Sequence, residues 1–273
     1  MTRTESFSRA DGYKVNWRRY VARAISEVFA LSRIRSADRS GFRILMYHSV
    51  GSEVPGDWLE IFGITSDLFS QHAELLARYP TGRVTPLDMA HLEGNGQRIA
   101  ITFDDGYKDN LRIAAPILLE RGLPFTVFVT SGFVRPNERL FMTPGELREL
   151  SELPNVSIGS HGVSHVALTK CDDRALWQEL ASSKRFLEDI IGKKITSVAY
   201  PYGAVDRRVR DMAQKAGYES GFCSYEAINN PSQDPLLMSR TCILGLDSIR
   251  VFKQKLHGDW DWYRWRQRNP ARS

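Results

Sequence analysis

Two acidic residues stand side by side in Thr102-Phe103-Asp104-Asp105-Gly106, and downstream Ser160-His161-Gly162-Val163-Ser164-His165 supplies two imidazoles four residues apart. Each cluster trails a short apolar run, Ile99-Ala100-Ile101 in one case and Val156-Ser157-Ile158-Gly159 in the other. Both sets of polar side chains are therefore expected at the ends of buried strands. One carboxylate with two imidazoles makes a three-ligand divalent-metal site with open positions, and it leaves the other carboxylate free as a base. Hydrolysis at a metal needs that division of labour. Singly, the motifs say less. Asp-Asp-Gly is usually a turn, because Asp bonds its own backbone and Gly accepts positive φ, and a His-x-x-x-His pair is more often two solvated or core histidines. Their joint placement after two strands is what points to a metal centre.

The elements that must position these residues alternate along the chain. Strands are expected at 43–47, 98–103, 125–129, 156–159 and 196–200, and helices at 67–79, 111–121, 172–191 and 206–216. Thr143-Pro144-Gly145-Glu146 is a capping box with Pro at the first helical position, and Gly122, Gly192 and Gly217 stand at helix stops. Repeated β-then-α units imply a parallel sheet with helical crossovers, either open or closed into a barrel. The pattern alone does not choose between them. Further upstream, Trp17, Tyr20, Val21, Ala24, Ile25, Val28 and Leu31 recur at helical spacing within 15–35, flanked by Arg18, Arg19, Arg23 and Arg33. That amphipathic helix suits packing on the main domain or a second subunit, or lying on an anionic membrane surface. Trp260-Asp261-Trp262-Tyr263-Arg264-Trp265-Arg266 has the same aromatic and basic character, which also suits a protein interface.

With Tyr200-Pro201-Tyr202-Gly203 added, the two clusters form three ordered motifs that resemble the polysaccharide deacetylase superfamily, the similarity running from about residue 43 to about residue 245. The resemblance implies an α/β fold, a distorted (β/α) barrel of about seven parallel strands, here with an N-terminal amphipathic helix. All three motifs lie at expected C-terminal strand ends, where such barrels carry their active sites. It also implies roles: Asp104 as catalytic base, Asp105, His161 and His165 as ligands of a divalent metal with zinc the expected ion, and the backbone N–H of Tyr202 as oxyanion donor. The chain departs from the commonest family pattern twice. Ala199 occupies the position where many members have an Arg that orients the base, and Arg240 in Met238-Ser239-Arg240-Thr241 is the candidate substitute, a surface Arg being the alternative. The late Leu-x-His motif that supplies a general acid has no His in Ile243-Leu244-Gly245. His48, in Met46-Tyr47-His48 after the first strand, resembles the early Tyr-His element of poly-N-acetylglucosamine deacetylases and is the candidate acid, the alternative being a buried His that fixes the next loop. His72, His91 and His257 match no motif and read as ordinary surface or helix residues.

Composition bounds the rest. The 273 residues suffice for one large α/β domain, and 42% hydrophobic with 25% charged residues is ordinary for a globular protein. No apolar run reaches membrane-spanning length, and no secretory signal opens the chain. Three scattered cysteines, Cys171, Cys223 and Cys242, fit a reducing compartment. The expected location is cytoplasmic, associated with the inner face of the membrane through 15–35 and the C-terminal tail. The net charge of +5 comes without a nucleic-acid recognition motif, so nucleic acid is not an expected partner. The organisation expected is a basic extension over 1–40, a barrel over 41–250 and an aromatic, basic tail over 251–273, with the number of subunits undetermined. The function expected is metal-dependent removal of N-acetyl groups from amino sugars of an oligosaccharide, polysaccharide or lipid-linked saccharide, releasing acetate. The rivals are a deformylase or esterase on another acylated sugar, and a catalytically silent glycan binder.

Overall fold

The computed structural model describes residues 25–28, 40–54, 57, 61–79, 82–88 and 96–267. Among them ten strands occur: β1 (Gly41–Tyr47), β2 (Ser49–Val50), β3 (Gly63–Ile64), β4 (Gly82–Val84), β5 (Gln97–Phe103), β6 (Phe125–Val129), β7 (Val156–Ser160), β8 (Ser197–Ala199), β9 (Ser220–Phe222) and β10 (Thr241–Cys242). Seven form one continuous parallel path, β10-β1-β5-β6-β7-β8-β9, with β4 beside the first half of β5 and β2-β3 paired separately. This is the expected distorted barrel. Its two edges are bridged by segment 238–242: Met238 N–H donates to Gly221 O (2.8 Å) and Cys223 N–H to Met238 O (2.9 Å), while Thr241 and Cys242 pair with Leu45 and Met46 of β1.

Period-two alternation divides the strand residues between two cores. Phe42, Ile44, Ala100, Phe128, Ala199, Phe222 and Met238 fill the barrel interior as one buried cluster. Their neighbours, such as Leu45, Tyr47, Ile99 and Phe103, face outward into a larger cluster shared with Leu118, Leu147, Leu187, Val209 and Phe252 of the surrounding helices. Inside, Gly159 lies against the Phe128 ring; a Cβ there would fall 2.4 Å from it. The interior alternation, carried past the strand ends, brings His48, Asp104, His161 and Arg240 to the inner side of the rim.

The helices are α1 (Ser66–Ala77), α2 (Ala115–Leu119), α3 (Pro144–Glu152), α4 (Asp173–Trp177), α5 (Ser183–Ile191), α6 (Arg207–Lys215) and α7 (Ile249–His257). The sequence signals at their ends act as expected. Thr143 and Glu146 close the reciprocal capping box, Asp172 and Asp206 cap α4 and α6, and Gly192 ends α5 in the left-handed region. The helix expected over 172–191 is a single run in which a π-helical turn, Gln178–Ser182, joins α4 to α5. Strands β4, β9 and β10 and helix α7 were not anticipated. Helix α7 crosses residue 250, the expected edge of the barrel, and buries Val251, Phe252 and Leu256.

His72 is fully buried on α1, stacked on Phe252 at 3.8 Å with Nδ1 3.2 Å from the Tyr47 hydroxyl, so it is a core helix residue rather than a surface one. His257 pairs with the Tyr79 hydroxyl, and His91 lies outside the described residues. So does the amphipathic helix expected over 15–35, apart from 25–28, which are helical. In that turn Ser26 accepts a hydrogen bond from the Trp262 indole (2.9 Å) and Glu27 pairs with Arg250. No helix among the described residues is long and apolar enough to cross a membrane.

Candidate active site

The register of the sheet aligns the strand ends. Tyr47 pairs with Phe103, and Val129 pairs with Ser160, so the residues that follow emerge on one rim. Asp104 N–H donates to Tyr47 O and His161 N–H to Val129 O, both at 2.9 Å, continuing the ladder one step to the site. Beyond that step the backbone turns sharply. Asp105 (φ 72°), His165 (φ 54°) and Tyr202 (φ 60°) all lie in the left-handed region, where an L side chain is strained by roughly 1–3 kcal/mol. Strain at three residues of one site is a mark of function.

Asp105, His161 and His165 each offer one ligand atom, and these atoms lie within 4.8 Å of one another. Asp105 Oδ1 is 3.6 Å from His161 Nε2 and 3.2 Å from His165 Nε2. Ligands about 2.0–2.2 Å from a tetrahedral cation are separated by roughly 3.4 Å, so the spacing fits such an ion. Asp105 Oδ1 is buried and has no hydrogen-bond partner, which is costly unless a cation or a proton compensates it. Burial accordingly pushes the Asp105 carboxyl up to about 6, a rise that His48 opposes and Asp104 reinforces. His161 Nδ1 faces the Ala199 carbonyl at 2.8 Å; a carbonyl only accepts, so Nδ1 carries the proton and Nε2 presents its lone pair to the site. Burial pushes His161 down to about 4 against the pull of Asp104, and burial also lowers His165. Both rings are neutral at neutral pH, the form that binds metal. The donor set fits a divalent cation of the zinc type.

Asp104 is held differently. Arg240 Nη1 and Nη2 grip its two oxygens at 2.6 and 2.7 Å, with both side chains buried. Arg240 also donates to Cys223 O and sits over the Phe128 ring, its carbon 5.5 Å from the centroid. Burial pushes the Asp104 carboxyl up, but Arg240, with His161 behind it, more than reverses this and holds it well below the usual carboxylate range. The structure thus places Arg240, not residue 199, against the candidate base; Ala199 contributes its carbonyl instead.

His48 follows β1 and lines the same cavity, its carbonyl held by Asn110 Nδ2 (2.9 Å) and its ring edge-on to Phe62 at 5.0 Å. Phe62 is in turn placed by Asp57, whose carboxylate accepts from the N–H groups of Ile61, Phe62 and Gly63. Tyr202 is exposed, its ring 4.7 Å from that of His165. The next residue must be glycine: a Cβ at Gly203 would lie 2.1 Å from Ser224 Oγ. All seven residues singled out from the sequence, Arg240 included, therefore line one cavity of about 1170 Å³. Sequence reasoning missed the far wall, where Glu226, Asp247, Lys255, Trp260 and Trp262 come from late in the chain. It also missed Glu179, which grips the loop between the two histidines. No spacing rule marks these positions.

The parallel barrel thus carries a carboxylate–imidazole cluster on its C-terminal rim, beside a second clamped carboxylate. The chain matches the family model for polysaccharide deacetylase over residues 91–221. It is 31% identical over 116 residues to the peptidoglycan-N-acetylglucosamine deacetylase of Listeria monocytogenes, covering 42% of this chain and 23% of that one. It is 24% identical over 154 residues to the poly-beta-1,6-N-acetyl-D-glucosamine N-deacetylase of Staphylococcus aureus, covering 52% and 53%. A Bacillus subtilis protein, a polysaccharide deacetylase by inference, is 28% identical over 183 residues, covering 65% and 62%. The matched region thus spans less than two thirds of each of these relatives. Among solved structures, a Streptococcus pyogenes deacetylase in complex with acetate superposes with a TM-score of 0.71 at 21% identity, covering 81% of this chain and 99% of that one. The IcaB structure from Ammonifex degensii gives 0.67 at 21% identity, covering 82% and 98%. These two likenesses concern the fold.

Proposed function

We propose that this protein is a metal-dependent N-deacetylase that removes the acetyl group from an amino sugar of a saccharide and releases acetate. One observation carries the reading: a buried, unpartnered Asp105 oxygen faces two neutral imidazoles, while a separate carboxylate, Asp104, is locked beside them by an arginine. A divalent ion held by Asp105, His161 and His165 supplies a more acidic water and a polarised acyl oxygen. Asp104, kept ionised by Arg240, accepts the proton of the attacking water. The backbone N–H of Tyr202, in its strained turn, donates to the developing oxyanion, a contact worth about 3–4 kcal/mol in comparable sites. The acyl C–N bond then breaks as His48 gives a proton to the leaving amine; the water oxygen stays in acetate, and the sugar keeps a free amino group.

The cavity supports a saccharide larger than one ring. At about 1170 Å³ it exceeds the roughly 300–1,000 Å³ of ordinary small-ligand sites, and Trp260 and Trp262 wall one side. A cytoplasmic location at the inner membrane face is part of the same proposal. The membrane contact is supported by the exposed Trp265 between Arg264 and Arg266, and co-sedimentation with anionic vesicles at low salt tests it. The activity is tested with purified protein and a panel of N-acetylated and N-formylated oligosaccharides, following acetate, formate and free amine. Asp104→Asn is expected to abolish acetate release while zinc content stays near one ion per chain. Full turnover in that variant would remove Asp104 as the base.

A further inference from the structure

The loop between the two histidine ligands is held by a carboxylate that no sequence motif marks. Glu179 lies in the π-helical turn Gln178–Ser182 and is only 9% exposed. Its Oε2 accepts from the N–H groups of both Val163 (2.7 Å) and Ser164 (3.0 Å), and its Oε1 accepts from the Ser164 hydroxyl. Two consecutive backbone N–H groups aimed at one oxygen make an anion-binding concavity, here filled by the protein itself. Four residues further on, Ser183 donates to Gly162 O (2.8 Å) and meets Ser160 Oγ at 2.8 Å. Gly162 (φ 77°) leaves room for the carboxylate; a Cβ there would sit 3.0 Å from Glu179 Oε2. Every residue between the ligands is thus gripped from one face of one helix.

This grip acts where the site is weakest. His161 is anchored at its ring by the Ala199 carbonyl and is 2% exposed, whereas the His165 side chain is 22% exposed and its backbone is in the left-handed region. A strained φ persists only where its surroundings over-determine it, and the loop leading to His165 is held by Glu179 at Val163 and Ser164 on one side and by the Ser131 and Gly132 N–H groups, which donate to Gly162 O and Val163 O, on the other. Glu179 itself lies within a π-turn, and such turns recur at functional positions.

We infer that Glu179 is a positioning residue for the metal centre, fixing the 161–165 loop so that both imidazoles meet one cation. The inference rests on the metal-site reading but not on the choice of substrate. Its test is zinc affinity, measured by competition with a chromophoric chelator on metal-stripped protein, with folding checked by circular dichroism. Glu179→Ala is expected to weaken zinc binding ten- to a hundredfold, the usual cost of losing an outer-shell partner, and Glu179→Gln, which keeps one acceptor oxygen and the side-chain volume, to fall between it and the parent. Glu188→Gln controls for loosening of the helix: Glu188, on α5, bonds Lys184 of the same helix and the Ile195 N–H beyond its end and does not touch the loop, so this variant should unfold at lower temperature with zinc affinity unchanged. Zinc binding as tight in both Glu179 variants as in the parent would overturn the inference. So would an equal loss in Glu188→Gln. A parent protein that takes up no zinc would remove the metal centre and this inference together. Because affinity rather than turnover is read, failure of the deacetylase assignment is distinguishable from failure of Glu179.

Discussion

Arg240 reaches Asp104 across 136 residues of sequence and meets it with both ends of its guanidinium fork. The pair is dry, so each charge depends on the other: removing one partner of a buried ion pair typically costs about 3–5 kcal/mol. Arg240→Met is therefore expected to lower stability by that order in urea unfolding and to abolish acetate release. Arg240→Lys restores the charge but not the planar, two-point grip. It should recover part of the stability while turnover stays down by roughly a hundredfold, the scale associated with a misplaced catalytic group. Turnover equal to the parent in Arg240→Lys would mean that only the charge matters. The sequence nominated Arg240 through an absence, since Ala199 cannot hold a carboxylate. It could not supply the contact itself, because nothing local links Met238-Ser239-Arg240-Thr241 to Asp104. Asp105, His161 and His165 were easier to read, since four-residue spacing and a strand-end position already bring ligands together.

At the scale of elements, alternation along the strands does the positioning. The same period that packs Phe42, Ile44, Ala100 and Phe128 inside the barrel delivers His48, Asp104 and His161 to its inner rim. Core and site are therefore one continuous stack, with Arg240 resting over the Phe128 ring. Phe128→Ala should cost about 3–5 kcal/mol from lost burial and the cavity left behind, read as a shift in urea midpoint. It should also lower turnover, because the floor under Arg240 goes with it; a stability loss with unchanged turnover would separate core from site. Helix ends were legible here because capping is local chemistry: Thr143 with Glu146, Asp172, Asp206 and Gly192 act within a turn of where they stand. Strands of two or three residues, such as β9 and β10, were not, because too few positions exist to show a period.

For the whole molecule, the late chain is what completes both barrel and cavity. Segment 238–242 joins β9 to β1, and Arg43 of β1 is gripped in a buried two-point pair by Asp261 (2.9 Å at each end). The same region buries Glu226, whose Oε1 accepts from the Cys242 N–H while Oε2 has no partner. Burial pushes Glu226 up to about 7 from an ordinary 4.5, with Lys255 opposing. A carboxyl raised in the fold contributes fully below its ordinary value, and that contribution is lost as pH rises through about 7. Stability should thus fall between pH 5 and 8, whereas Glu226→Gln, which cannot ionise, should lack that decline and exceed the parent at pH 8 by on the order of 1–3 kcal/mol. Urea unfolding at the two pH values checks this; parallel pH dependence in both proteins would assign the decline to another group.

The sequence by itself determined the alternation of strands and helices, the places where helices start and stop, and which residue types gather as candidate metal ligands. Each of these depends on residues within a few positions of one another, where spacing translates directly into geometry. Only the tertiary structure decided which arginine faces Asp104, that Glu179 holds the histidine loop, that His72 is core, and that Trp260 and Trp262 wall the cavity. Those contacts join residues far apart in the chain. Their energy is realised only once the barrel has curled and brought its last strand against its first.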